Sequence, residues 1–187
     1  MTDTVAEKER TTSEATADGT NSPFEQLKVL RGKVTTLQLD GKFLEAKHMQ
    51  EESLLLMKKA YGDEAPQIAL NLARLGSILE AIENVSVEDI ETIYRKSLTI
   101  YRKCRRQVRA NIRKCGEGKD ERVSSSLFAT DQGVESNLVY FDSAIAEVLS
   151  SLANVVNRDK ARSAEADAIH KMSLGIFANV IRAESEA

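Results

Sequence analysis

Three twelve-residue segments decide the fold: AKHMQEESLLLM at residues 46–57, IETIYRKSLTIY at 90–101 and ADAIHKMSLGIF at 166–177. Each segment carries a Ser-Leu pair, with apolar residues at helical spacing around it. The first two segments start 44 residues apart, and the next gap of 76 fits one more unit plus an inserted loop. Periods of this size are typical of stacked helical hairpins, so the sequence predicts a repeat protein.

The composition favours α-helices. Aromatic residues make up only 5% of the chain, there is no Trp, and Pro occurs twice. Because β-sandwiches and barrels need many turns and β-branched or aromatic strands, this composition predicts an all-α fold in one main domain. A net charge of −3 is too small to indicate nucleic-acid or membrane binding by bulk electrostatics.

The two cysteines indicate a reducing compartment. On a continuous helix Cys104 and Cys115 would lie about 16 Å apart, which is too far for a disulfide. No apolar run approaches the ~20 residues that cross a bilayer, and the acidic start does not resemble a signal or transit peptide. We therefore expect a soluble, cytoplasmic protein with no membrane span.

Composition divides the chain into a tail and a repeat domain. Residues 1–22 are acidic and rich in Ser and Thr, which predicts a disordered tail. Residues 23–187 carry the helical pattern, and a polar stretch at 115–135 interrupts it. We expect that stretch to be a long mobile loop.

Three short motifs carry a family resemblance: GKFLEA at 41–46, Ser-Leu at 53–54 and YGDEAP at 61–66. Together they resemble the tetratricopeptide repeat in the long version found in kinesin light chains. The resemblance implies a right-handed superhelix of about three antiparallel helical hairpins and an adaptor for cargo or assembly. Small residues such as Ala46 and Ser53 are expected where the helices of a hairpin cross, because close approach leaves no room for larger ones.

The resemblance also implies a concave groove lined by the first helix of each hairpin. Donors on those helices suit the carbonyl or acidic groups of an extended peptide. The alternative is that these residues are ordinary solvated side chains. The matching positions are Arg31, Thr35, Gln38, Arg74, Ser77, Ser150, Ser151 and Asn154.

A basic run on the second long helix is the other candidate surface. It consists of Arg102, Lys103, Arg105, Arg106, Arg109, Arg113 and Lys114. Arginines at helical spacing could bind an acidic peptide, an RNA backbone or anionic lipid, although no aromatic residues alternate with them to stack bases. The alternative is a solvated face that balances acidic neighbours.

Catalytic and metal-binding patterns find no support in the sequence. His48 and His170 lack a recognisable ligand pattern, and the segment 116–119 departs from a phosphate-binding loop. We expect a non-enzymatic protein without a cofactor or metal. It would bind a protein or peptide through the groove, the basic helix or an uncapped C-terminal face.

Two alternatives to the adaptor hypothesis stay open at this point. One is a structural subunit of a homo-oligomer or larger assembly, favoured by the absence of any sequence pattern for a capping helix. The other is a nucleic-acid-binding helical repeat that uses the arginine run. This alternative is less favoured because the rest of the chain is acidic.

Overall fold

The computed structural model describes residues 22–116 and 131–185, and the elements within them are helical. The helices are α1 (Pro23–Leu39), α2 (Phe43–Tyr61), α3 (Pro66–Glu80), α4 (Val87–Gly116), α5 (Asp131–Val156) and α6 (Ser163–Ser185). A short 3₁₀ turn, Lys160–Arg162, precedes α6. The predicted all-α class is confirmed for this part of the chain.

Local sequence signals set several of the helix ends. Pro23 and Pro66 open α1 and α3, where a missing backbone N–H costs no helical hydrogen bond. Ser86 precedes α4, and its Oγ accepts a 3.0 Å hydrogen bond from the amide of Asp89. Gly41, with φ of 72°, supplies the left-handed residue in the turn between α1 and α2.

The interruption between α4 and α5 is shorter than the sequence indicates. We assigned residues 115–135 to a loop, but α4 continues to Gly116 and α5 already begins at Asp131. The remainder of that loop, residues 117–130, lies outside the described residues, as does the predicted tail up to residue 21.

The helices pack in chain order, each mainly against its neighbours in sequence. We refer to α1 with α2, α3 with α4, and α5 with α6 as the three hairpins that the sequence predicts. In the structure α2 also packs on α3, α4 packs on α5, and α3 contacts α5. The main core lies among α3, α4, α5 and α6, while two smaller clusters join α1 and α2 to α3. Hydrophobic burial is therefore continuous from one hairpin to the next.

The recurring segments lie on α2, α4 and α6, the second helix of each hairpin. Their serines, Ser53, Ser97 and Ser173, are all buried. Ser97 Oγ donates a 2.8 Å hydrogen bond to the carbonyl of Ala69 on α3, and Ser173 Oγ donates at 2.7 Å to that of Ala146 on α5. The serine is thus small enough for the helix crossing and also satisfies its own hydroxyl there.

One stretch of α5, Asn137–Val156, is long and apolar enough to cross a membrane by length and composition alone. This differs from the sequence-based expectation that no apolar run approaches such a length. Half of the stretch is buried inside the fold, where it supplies a large part of the main core. A core helix of a soluble protein has the same properties.

Candidate functional site

The predicted groove residues lie on the first helices of the three hairpins. Arg31, Thr35 and Gln38 lie on α1, Arg74 and Ser77 on α3, and Ser150, Ser151 and Asn154 on α5. Thr35, Ser77 and Asn154 are exposed, while Gln38 and Ser150 are half-buried. Thr35 Oγ1 donates to the carbonyl of Arg31, so its hydroxyl is engaged within its own helix at 3.1 Å.

Two of these residues, Arg31 and Arg74, are brought together from different hairpins. Arg31 is exposed and Arg74 is half-buried. Burial lowers the pKa of the Arg74 guanidinium, and the positive charge of Arg31 lowers it further. Neither arginine forms an ion pair with another described residue. The pair is therefore a local concentration of positive charge without a direct ion-pair partner among the described residues.

Two tyrosines lie beside this arginine pair. Tyr101 of α4 is buried and Tyr140 of α5 is exposed, and both interact electrostatically with Arg74. Burial raises the pKa of Tyr101, as does its hydrogen bond to Tyr140. The ring of Phe141 packs edge-on against both, with centroid distances of 6.3 Å to Tyr101 and 5.3 Å to Tyr140. Packing thus fixes the wall of the site on the α5 side.

Ser151 has a hydrogen-bond partner that the sequence did not indicate. Its side chain hydrogen-bonds Tyr94 of α4. The Tyr94 hydroxyl also donates at 2.6 Å to Glu80, which accepts a second hydrogen bond at 2.9 Å from Arg158. Burial, followed by the bond to Glu80, raises the pKa of Tyr94. This network fastens α3, α4 and α5 together, so Ser151 contributes to packing at the hairpin boundary.

The basic run on α4 divides into paired and unpaired residues. Lys103 pairs with Glu64, and Arg105 forms an ion pair with Asp142 of α5. The exposed members without an ion pair to any described residue are Arg102, Arg106, Arg109, Arg113 and Lys114. Of the five arginines proposed for this surface, Arg105 therefore acts mainly within the fold.

A second charge cluster joins α4 to the start of α6. Glu91 accepts hydrogen bonds from Arg162 at 2.7 and 3.0 Å and from Arg95 at 2.6 Å. Glu165 bonds to the same two arginines at 2.9 and 3.0 Å. The bonds from Arg162, and then those from Arg95, lower the pKa of the largely buried Glu91 to about 2. Because these charges compensate one another, the cluster stabilises the fold and offers no free charge.

The described residues give little support for a metal site. His48 lies 3.7 Å from Glu51 on the exposed face of α2, and His170 is exposed on α6. Within residues 22–116 and 131–185, no group of three or more His, Cys, Asp or Glu side chains could hold a metal ion. The thiol of Cys104 is buried, and burial raises its pKa, which disfavours the reactive thiolate.

Sequence analysis missed Tyr140 as a member of the site. It neighbours the core residue Phe141 but lies off the apolar stripe of its helix, and 46% of its side chain is exposed. A large aromatic residue just off a core stripe was a usable signal. Its proximity to Arg74 was not readable from sequence, because α3 and α5 meet only through tertiary packing.

Comparison of the chain with protein-family models and with curated proteins gave no match.

Proposed function

We propose that this protein is a non-catalytic adaptor that binds an acidic peptide segment of another protein on the face shared by α1, α3 and α5. The observation that carries the proposal is the convergence of Arg31 and Arg74 beside Tyr140, with no carboxylate pairing to either arginine among the described residues. The positive charge of Arg31 already acts unfavourably on the Arg74 guanidinium, and an incoming anion relieves that repulsion.

The chemistry of these groups favours carboxylates. A guanidinium presents its N–H donors in a planar fork that matches a carboxylate with two parallel hydrogen bonds. Tyr140 adds an exposed ring and a hydroxyl next to that fork. An extended peptide with Asp or Glu flanked by an apolar residue suits this combination of charge and aromatic surface.

The repeat architecture supports a binding function of this kind. We propose that the hairpins form a tetratricopeptide-like right-handed superhelix whose first helices line a concave groove. The regular packing of consecutive helices and the recurrence of the Ser-Leu segment on α2, α4 and α6 both support this arrangement. The widely spaced cysteines keep the cytoplasm as the proposed location.

The test is capture of peptides from an array in which acidic and amide side chains are compared position by position. We expect the wild-type protein to bind peptides with clustered Asp or Glu and to lose them when these become Asn or Gln. The double variant Arg31→Glu with Arg74→Glu should bind at least about 10-fold more weakly, since charge-assisted hydrogen bonds contribute about 1.5–3 kcal/mol each.

The matched control is Arg109→Glu with Arg113→Glu, which makes the same change in net charge on the exposed part of α4. Retained peptide binding by this control supports the site at Arg31 and Arg74. Loss in the control alone would move recognition to the basic helix, and equal loss in both variants would indicate non-specific attraction. An array with no acidic peptide bound would overturn the proposal.

The unpaired arginines of α4 favour a second candidate function, binding of a nucleic-acid backbone. In that case affinity for a single-stranded RNA probe falls steeply with salt, because each neutralised phosphate releases a counterion. The variant of Arg109 and Arg113 would then weaken RNA binding, whereas the variant of Arg31 and Arg74 would not.

A further inference from the structure

Each second helix carries a four-residue stripe, which on α2 and α4 faces the following hairpin. We call it the outer stripe. It recurs at the same positions of the repeated segment, as Gln50, Leu54, Met57 and Tyr61 on α2; Tyr94, Leu98, Tyr101 and Arg105 on α4; and His170, Leu174, Phe177 and Ile181 on α6. The spacing of four, three and four residues places the members on one side of a helix.

On α2 the outer stripe is covered by α3. Met57 is buried in a cluster with Ile68 and Leu72 of α3, and Leu54 packs against the same cluster. Gln50 Nε2 donates to the side-chain and main-chain oxygens of Asn71, at 2.8 and 3.0 Å. Helix α3 thus covers Gln50, Leu54 and Met57. Tyr61, at the end of the stripe, is 38% exposed and packs edge-on against Phe24 of α1, with ring centroids 6.0 Å apart.

On α4 the covering helix is α5. Leu98 and Tyr101 are buried in the main core with Phe141, while Tyr94 bonds to Ser151 and Arg105 pairs with Asp142. The covering helix again supplies apolar residues in the middle of the stripe and a polar partner where the stripe has a polar member. The two contacts thus follow the same design.

The outer stripe of α6 has no such cover among the described residues. Leu174 is 55% exposed and Ile181 is 65% exposed, whereas Leu98, in the position equivalent to Leu174, is 4% exposed. His170 is exposed and Phe177 is half-buried. The side chains that close the earlier hairpin boundaries are here available for contact.

We propose that the outer stripe of α6 is the docking surface for an amphipathic helix supplied by another protein. The occupant is a helix because α3 and α5 cover the two equivalent stripes in that form. Its contact face carries aliphatic residues opposite Leu174, Phe177 and Ile181, with a polar side chain opposite His170. Ile181 is the equivalent of Arg105 on α6. The occupant therefore has an apolar residue where α5 has Asp142, the partner of Arg105.

Charge placement argues against a second copy of this chain as the occupant. Two α6 helices packed antiparallel, with Leu174 beside Phe177 of the other copy, would place Asp167 opposite Glu184 at both ends of the contact. Like charges opposite one another disfavour this antiparallel arrangement.

The test uses a fluorescent peptide with the sequence of α3, Pro66–Glu80, internally crosslinked so that it stays helical. This helix already covers one outer stripe, and peptides of its length are otherwise marginally helical in water. We expect fluorescence anisotropy to show micromolar binding to the full chain. Leu174→Glu or Ile181→Glu should weaken binding at least about 10-fold, since a buried anchor at such a contact dominates affinity.

The matched control is Leu55→Glu on α2, because Leu55 is 61% exposed but lies off the outer stripe. Unchanged binding by this control, with equal circular dichroism and melting of all variants, supports the docking surface. No binding by the wild type at millimolar peptide, or equal loss with Leu55→Glu, overturns it. A wild-type dimer in sedimentation that Leu174→Glu dissociates would assign the surface to a second copy and overturn the proposed partner.

Discussion

Helices α4 and α6 carry the same repeated segment but differ in their surroundings. α4 packs between α3 and α5, whereas α6 packs mainly on α5. The serine of the segment is buried on both helices, as Ser97 and Ser173, and bonds to the preceding helix on both. The following leucine is buried on α4, as Leu98, and exposed on α6, as Leu174.

This difference shows that the two sides of the repeated segment have different structural roles. The side that carries the serine closes its own hairpin and is buried wherever the segment occurs. The outer stripe closes the boundary to the next hairpin and is buried only where another helix follows. A repeated segment therefore predicts a stripe that another helix can cover. Whether the stripe is buried depends on whether such a helix lies alongside it.

The comparison is tested most strongly by truncating the two leucines. Leu98→Ala should lower the free energy of unfolding by about 2–5 kcal/mol, because it opens a cavity in the main core. Leu174→Ala should cost less than about 1 kcal/mol, since its side chain is already largely in water. Urea unfolding followed by circular dichroism measures both. Equal costs would mean that α6 is covered in solution.

Replacement of Gly76 on α3 and of Gly175 on α6 by alanine should change the stability of the protein in opposite directions. A Cβ on Gly76 would lie 2.7 Å from the ring of Tyr94, which hydrogen bonds hold in place, so Gly76→Ala should cost about 1–3 kcal/mol. A Cβ on Gly175 of α6 meets nothing within 4 Å. Gly175→Ala should therefore stabilise by about 0.5–1 kcal/mol through helix propensity. Thermal melting of the two variants checks the sign, and stabilisation by Gly76→Ala would contradict the close contact.

The smallest expected effect is the acid sensitivity of the charge cluster between α4 and α6. The pKa of Glu91 falls from an ordinary 4.5 to about 2 on folding. Its contribution is therefore complete above about pH 4.5 and is lost as the pH falls towards 2. The partner arginines Arg95 and Arg162 are themselves partly exposed, so solvent screening limits the contribution to about 1 kcal/mol.

This contribution is measured as the difference in the free energy of unfolding between wild type and Glu91→Gln, determined at several pH values from 7 to 2. The difference in stability should be present at pH 7 and should shrink below pH 4.5. Glu184→Gln, at an exposed position of α6, is the control and should show no such trend. A constant difference across the pH range would exclude Glu91 as the source.

Much of the architecture was predictable because it depends on local patterns. Apolar spacing predicted the helices, Pro23 and Pro66 marked two helix starts, and Ser86 marked the cap of α4. The start of α5 at Asp131 was missed, because a polar segment that contains glycine is typical of a loop. Such a segment can still be helical when it continues a helix whose other residues are packed in the core.

The candidate site was predictable only in part. Arg31 and Arg74 were named from the sequence because both lie on first helices, whereas Tyr140 was not named and the hydrogen bond of Ser151 to Tyr94 was not expected. Their contacts run between hairpins and join residues far apart in sequence, so periodicity along one helix carries no information about them.

The sequence by itself determined the helical class, the repeated segment and the small residues at the helix crossings, because each follows from spacing within one or two helices. Tertiary structure alone decided that Tyr140 lies beside Arg74 and that Leu98 is buried while Leu174 is exposed. The physical reason is that burial and charge proximity depend on which helix lies alongside, and that neighbour is set by the order of packing across the whole chain.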